Sequence, residues 1–229
     1  MEDVKTSVEL WGIQILEPVT VVTDLLVSVV CLYAYWKLRK LKTQSAAVKL
    51  FAYYFLTLSL ATASGGIIGH GLQNILGFGW KVPTWIISMI SITFIERAAI
   101  IHARPLFSKR ITRFFLVLNI IELITMIVVV ISTLNFLLVE AHAAFGLLAI
   151  VFSFELYIFI KKRNEESKIL LIAVGVSALP AIAHLSKFSI DRWFNYNDIA
   201  HVLMAVAAYV FYLGATKDHA IHNASNKPK

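Results

Sequence analysis

Histidines and acids recur at helical spacing inside the apolar stretches of this chain. Asn197, Asp198 and His201 form the tightest group. Separations of three and four residues put all three on one face of a helix. Elsewhere Glu17-Pro-Val-Thr20 leads to Asp24, the small-residue run Ser64-Gly65-Gly66 and Gly69 leads to His70, Glu140 precedes His142, and His184 follows Pro180. Three neutral imidazoles and a water are a common catalytic zinc arrangement, in which the metal brings the water's pKa to about 7. His70, His201 and one of His184 or His142 supply such a set. Asp198 suits a further ligand, the orienting partner of a ligand imidazole, or the base on a bound water. Local signatures such as His-Glu-x-x-His are missing, so the constellation rests on depth in the fold alone. Each residue also has a structural reading. Asn197 and Asp198 suit helix caps, Glu17 suits the positive end of a helix, the glycines near His70 let helices approach closely, and Pro180 kinks its helix.

The elements that carry these residues follow from composition. The 229 residues are 59% hydrophobic and only 15% charged, with a mean hydropathy of +0.75. A soluble domain carries closer to a quarter charged residues, and disordered chains are polar. Both are excluded, leaving an integral membrane protein. A helix needs about 20 apolar residues to cross the hydrocarbon core. Seven segments suffice, at residues 17–38, 49–70, 84–103, 113–134, 136–160, 168–187 and 198–215. The expected fold is all-α, one seven-helix transmembrane bundle over 1–229, with short connections and no internal repeat of the transporter kind. The single Cys31 forms no intrachain disulfide. No removable signal peptide is expected, because Met1 to Leu16 lacks a small-residue cleavage pattern.

Lys and Arg set the expected orientation. The first, third and fifth loops and the tail hold Lys37, Arg39, Lys40, Lys42, Lys49, Arg97, Arg104, Lys109, Arg110, Arg113, Lys161, Lys162, Arg163, Lys168, Lys217, Lys227 and Lys229. The other side has only Lys5, Lys81, Lys187 and Arg192. Basic loops stay cytoplasmic, which places the N-terminus outside and the C-terminus inside. The same distribution explains the net charge of +7 without nucleic acid. A bacterial plasma membrane is the expected location. In this orientation Glu17, Asp24, His70, Glu140, His142, His184, Asn197, Asp198 and His201 all fall in the outer half. Glu122 lies mid-membrane, and Glu96, His102 and Glu155 lie toward the cytoplasm.

Seven helices, an acid on the first, a Ser/Gly-rich second ending in histidine, and a polar His motif opening the seventh resemble the alkaline ceramidase and adiponectin receptor (CREST) superfamily. Glu17-Pro-Val-Thr20-x-x-x-Asp24 and Asn197-Asp198-x-x-His201 are also similar to uncharacterised bacterial seven-helix proteins. The resemblance implies a zinc site for amide or lipid hydrolysis. His70 matches the helix 2 histidine, His201 matches the second helix 7 histidine, and Ser64 takes the oxyanion-stabilising role. Three departures stand out. Ser64 is six residues before His70 instead of four, Asn197 replaces the first helix 7 histidine, and no aspartate lies between His70 and Glu96. The expected function is therefore a zinc-dependent hydrolase of a membrane lipid amide or ester, with His70, His201 and His184 on the metal and Asp198 either as base or as the orienting partner of a ligand imidazole. The alternative is a non-enzymatic binder, sensor or small-solute or ion carrier using the same outer pocket, since clustered acids and histidines bind cations or move protons without turnover. A retinal protein is excluded, because residues 198–215 contain no lysine. A b-haem cytochrome is a further alternative, with His70 and His142 as its axial pair, and a colourless preparation dismisses it.

Overall fold

The computed structural model describes residues 5–42 and 44–225; Lys227 and Lys229 lie outside the described residues. Among the described residues seven helices are long and apolar enough to cross a membrane: α1 Pro18–Arg39, α2 Ala46–Gly71, α3 Phe78–Leu106, α4 Lys109–Thr133, α5 Phe136–Lys162, α6 Glu165–Ser186 and α7 Tyr196–Lys217. Several begin a few residues before the apolar runs do. The extra turns come from caps: Ser45 accepts from the Val48 N–H at 3.1 Å, and Ser108 accepts from the Ile111 N–H at 3.3 Å. Such side-chain acceptors satisfy the first free amides of a helix.

The helices close into a bundle. α1 packs on α2 and α7, α2 on α3, α3 on α4 and α5, α5 on α6, and α6 on α7. The main core runs through Val27, Cys31, Phe51, Phe55, Ile95, Ile158, Leu170 and Phe211. A smaller core of Trp85, Met89, Val130 and Val139 joins α3, α4 and α5. α4 sits at the rim, with Thr112, Asn119 and Val130 as its buried residues.

Two features depart from seven plain helices. Before α1 the chain forms a hairpin, β1 Ser7–Leu10 with β2 Ile13–Leu16, in antiparallel register Ser7↔Leu16. Its turn residues Trp11 and Gly12 both have positive φ, 52° and 77°. That is the geometry of the tight turns whose twist matches paired strands. In addition α2 and α5 each contain seven residues of π-helix, Gly65–Gly71 and Phe145–Val151. Such segments are frequent at functional sites.

The π segment of α2 lies directly against α1. A Cβ on Gly66 would sit 2.8 Å from Asp24 Cβ and 3.2 Å from the Val21 carbonyl oxygen. Neither is the far end of a flexible side chain, so α1 and α2 must separate to admit it. Gly66→Ala is expected to destabilise the bundle by about 1–3 kcal/mol, read as a lower melting temperature in detergent; an unchanged melting temperature would contradict this contact.

Candidate functional site

One end of the bundle gathers residues from α1, α2, α7 and the hairpin. Glu17 caps α1 in a left-handed conformation, φ 45° and ψ 53°, and its N–H donates to the Thr6 carbonyl at 2.8 Å. The hairpin thereby holds the carboxylate over the end of α2. One oxygen, Oε2, takes both His70 Nδ1 at 3.0 Å and Lys5 Nζ at 2.6 Å. Lys5 also donates to Gln73 Oε1 at 2.9 Å. Burial pushes the Glu17 carboxyl up, but His70 and Lys5 together outweigh it and bring the pKa down to about 2.

One turn further in, α7 meets α1. Asp198 is fully buried. Its Oδ2 accepts the Asn195 N–H at 2.7 Å, which is the capping role, and its Oδ1 accepts from Thr23 Oγ1 at 3.3 Å. Thr23 Oγ1 also lies 3.1 Å from His201 Nδ1, and His201 Nε2 lies 3.4 Å from Asp24 Oδ1. A continuous polar line thus runs Asp198, Thr23, His201, Asp24. Asp24 is 5% exposed and packs against Gly66. The His70 and His201 rings meet edge to face with centres 6.3 Å apart.

The remaining residues singled out from sequence take other partners. His184 Nδ1 lies 2.6 Å from Glu140 Oε1, with its ring against Phe136 and Tyr196. His142 is buried in the smaller core, with Nδ1 2.7 Å from Glu122 Oε1 and Nε2 3.1 Å from the Met89 carbonyl oxygen. Asn197 is half-buried, and its N–H donates to Asn195 Oδ1 at 2.8 Å. Ser64 Oγ donates to the carbonyls of its own helix, Leu60 at 2.7 Å and Ala61 at 3.1 Å.

Zinc can be tested against these donors. Metal-bound imidazoles commonly have the second ring nitrogen held by a carboxylate. His70 has that support on Nδ1, whereas His184 Nδ1 lies 2.6 Å from Glu140 Oε1 without a hydrogen bond among the described residues. His201 does not fit, since both its ring nitrogens face protein groups. Two imidazoles on one tetrahedral zinc have ring centres about 5 Å apart, from nitrogen–metal bonds of roughly 2 Å, and the His70–His201 pair is wider. Among the described residues no group of three or more His, Cys, Asp or Glu is arranged to hold a metal ion. As arranged, these residues do not form a zinc ligand set.

Sequence reasoning missed that each histidine on a membrane helix pairs with a carboxylate from another segment. The fifth case lies at the opposite end, where His102 Nδ1 is 2.9 Å from Glu155 Oε1 and Nε2 is 3.2 Å from Glu166 Oε2. It also missed the hairpin and Lys5. The signal was weak: Gly12 stands between two four-residue segments that mostly alternate apolar and polar residues, Ser7–Leu10 and Ile13–Leu16, but Trp11-Gly12 is not one of the residue pairs that mark a tight hairpin turn.

A model of a family of unknown function, DUF6962, matches residues 19–220. No curated protein and no solved structure matches the chain.

The lowered Glu17 pKa ties this end of the bundle to pH. A carboxylate held below its ordinary value stabilises the fold above that value and loses the effect as the pH falls through the shifted one. The melting temperature of the wild type should therefore drop toward that of Glu17→Gln as pH falls from about 4.5 to about 2. A difference between the two proteins that is constant across this window would contradict the Lys5–Glu17–His70 contact.

Proposed function

The chain belongs to the family of unknown function DUF6962, and we propose that it is a multi-pass membrane protein that binds a small cation in exchange for a proton, as a binder or carrier. The observation that carries this reading is the line Asp198–Thr23–His201–Asp24. Two buried carboxylates there bracket one imidazole and one hydroxyl. Asp198 is satisfied by the Asn195 N–H and by the start of α7, whose dipole favours a negative charge. Asp24 has no such cap. Its imidazole contact is 3.4 Å, long for an ion pair, and Lys81 lies within electrostatic reach. With Lys81 offsetting one carboxylate, the centre is neutral when one proton is held between Asp24 and His201 or when a cation takes the place of that proton. Ionisable groups so deep in a membrane protein are expensive and usually functional. Basic loops favour an orientation with this end outside.

The second reading is a zinc-dependent hydrolase of a membrane lipid amide or ester. It is favoured by the carboxylate behind His70, and it requires His201 to release Thr23 or Asp24. Metal analysis separates the two readings. About one zinc per chain, lost in both His70→Ala and His201→Ala, supports the hydrolase; metal-free, well-folded wild type removes it.

For cation–proton exchange, Li⁺, Na⁺ or K⁺ added to weakly buffered detergent-purified protein should release protons and raise the melting temperature. Asp24→Asn should abolish both effects. Wild type that shows neither with any of the three ions, or an Asp24→Asn protein that retains both, sinks the proposal.

A further inference from the structure

A second polar centre lies in the middle of the bundle, between α3, α4 and α5, away from the Glu17 end. Its principal residue is Glu96, 1% exposed. Glu96 Oε2 accepts a hydrogen bond from Asn119 Nδ2 on α4. The other oxygen, Oε1, is buried with no hydrogen-bond partner among the described residues. That oxygen faces α5, where a Cβ on Gly146 would collide with it. The glycine keeps open the space that the carboxylate occupies.

Helical spacing brings two more groups to the same place. Glu122 is three residues beyond Asn119 on α4, and His142 is four residues before Gly146 on α5. Residues three and four apart share a helix face. Glu122 and His142 accordingly sit one turn from Glu96 and contact each other at 2.7 Å. Glu122 Oε2 is likewise buried and unpartnered among the described residues. On Glu96's own helix Arg97 turns away, donating to the Leu116 carbonyl at 3.1 Å and to Asn119 Oδ1 at 3.3 Å. The imidazole is bonded to Glu122 and to the Met89 carbonyl, and Glu96 and Glu122 each keep a buried oxygen that no donor reaches among the described residues. An isolated buried carboxylate is far too costly to keep ionised. The ligand that costs least to supply is a proton, since an unpartnered oxygen can carry it without any change in packing.

Further along α3 a third cluster continues the line. His102 is gripped at both nitrogens by Glu155 and Glu166. At the start of α6 beside it, Asn164 Oδ1 and Ser167 Oγ are buried without hydrogen-bond partners among the described residues. Buried polar atoms of that kind are the usual partners of ordered water. Glu96 and His102 are six residues apart, a rise of about 9 Å. Direct transfer across that distance is too far, so passage between them requires a short water chain.

We propose that Glu96, with Glu122 and His142, is a proton-binding site at mid-membrane, and that α3 conducts protons between it and the His102–Glu155–Glu166 cluster. The step is a proton transfer only. Glu96 Oε1 gains an O–H bond when a bridging water hands it a proton and takes a replacement, through the water chain, from the protonated His102–Glu155–Glu166 cluster, and loses it by the same transfers in reverse, with no redox change. The site is independent of the reading given to Asp24 and His201.

The test uses the full chain in vesicles with a pH-sensitive dye in the lumen and a potential set by potassium and valinomycin. Wild type should change the lumenal pH faster than protein-free vesicles. Glu96→Gln and Glu122→Gln should lose that excess, while Glu9→Gln, the same charge change on the exposed hairpin, should keep it. Infrared difference spectra should contain the C=O stretch of a protonated buried carboxylic acid that disappears in Glu96→Gln. Wild-type vesicles no faster than empty ones overturn the conduction. A Glu96→Gln protein that melts like wild type and still conducts overturns the assignment to Glu96. If Glu96→Gln fails to fold, Glu122→Gln decides by the same criterion.

Discussion

The structure depends on the pairing of ionisable side chains across helices where no bulk water is available to solvate them. Hydrocarbon offers no hydrogen bonds, so a polar group inside the bundle must find a protein partner or lose its charge. His70 with Glu17, His201 with Asp24, His184 with Glu140, His142 with Glu122 and His102 with two glutamates all meet that requirement. Each pair joins different segments, so each also fixes how those segments sit. Lipid-facing α4 illustrates this. Its inward contacts include Asn119 on Glu96 and Glu122 on His142, and its other faces are largely apolar and exposed.

Backbone irregularities make these pairings geometrically available. On α5, His142 and Glu155 are thirteen residues apart. At about 100° per residue, an undistorted α-helix would turn them roughly 220° apart, onto nearly opposite faces. Both nevertheless reach α3, one at Met89 and the other at His102. The π segment Phe145–Val151 lies between them, and a wider turn advances less per residue. In α2 the π segment Gly65–Gly71 brings Gly66 against Asp24 and His70 under Glu17. The hairpin then closes the same end by hanging Glu17 from Thr6 and adding Lys5 to its carboxylate. Local deviations from ideal helix thus serve the polar centres.

These centres differ in how well they are satisfied. Asp198 is bonded through both oxygens to groups that suit an ionised carboxylate. Asp24 and Glu96 are held by shape, one against Gly66 and the other against Gly146, with fewer donors. Groups that are confined but under-satisfied change protonation or take up a cation at least cost in rearrangement. That asymmetry is the physical basis for assigning exchange to Asp24 and His201 and proton binding to Glu96.

Much of the fold was legible in the amino-acid sequence. Seven apolar runs of spanning length, separated by short polar connections, determine seven membrane helices, because hydrocarbon thickness sets a minimum length that few other structures need. Helix spacing also placed Asp198 and His201 on one face, and both face α1 through Thr23. Partner choice was not legible. His70, His184 and His201 read as one converging set, whereas tertiary packing gave each its own carboxylate. Which acid faces which imidazole depends on helix rotation and tilt, and those are set by two π segments, two glycines and a hairpin acting together. Depth along the membrane is a one-dimensional property that a sequence carries. Azimuth around the bundle is decided by contacts between distant segments, and only the folded chain contains it.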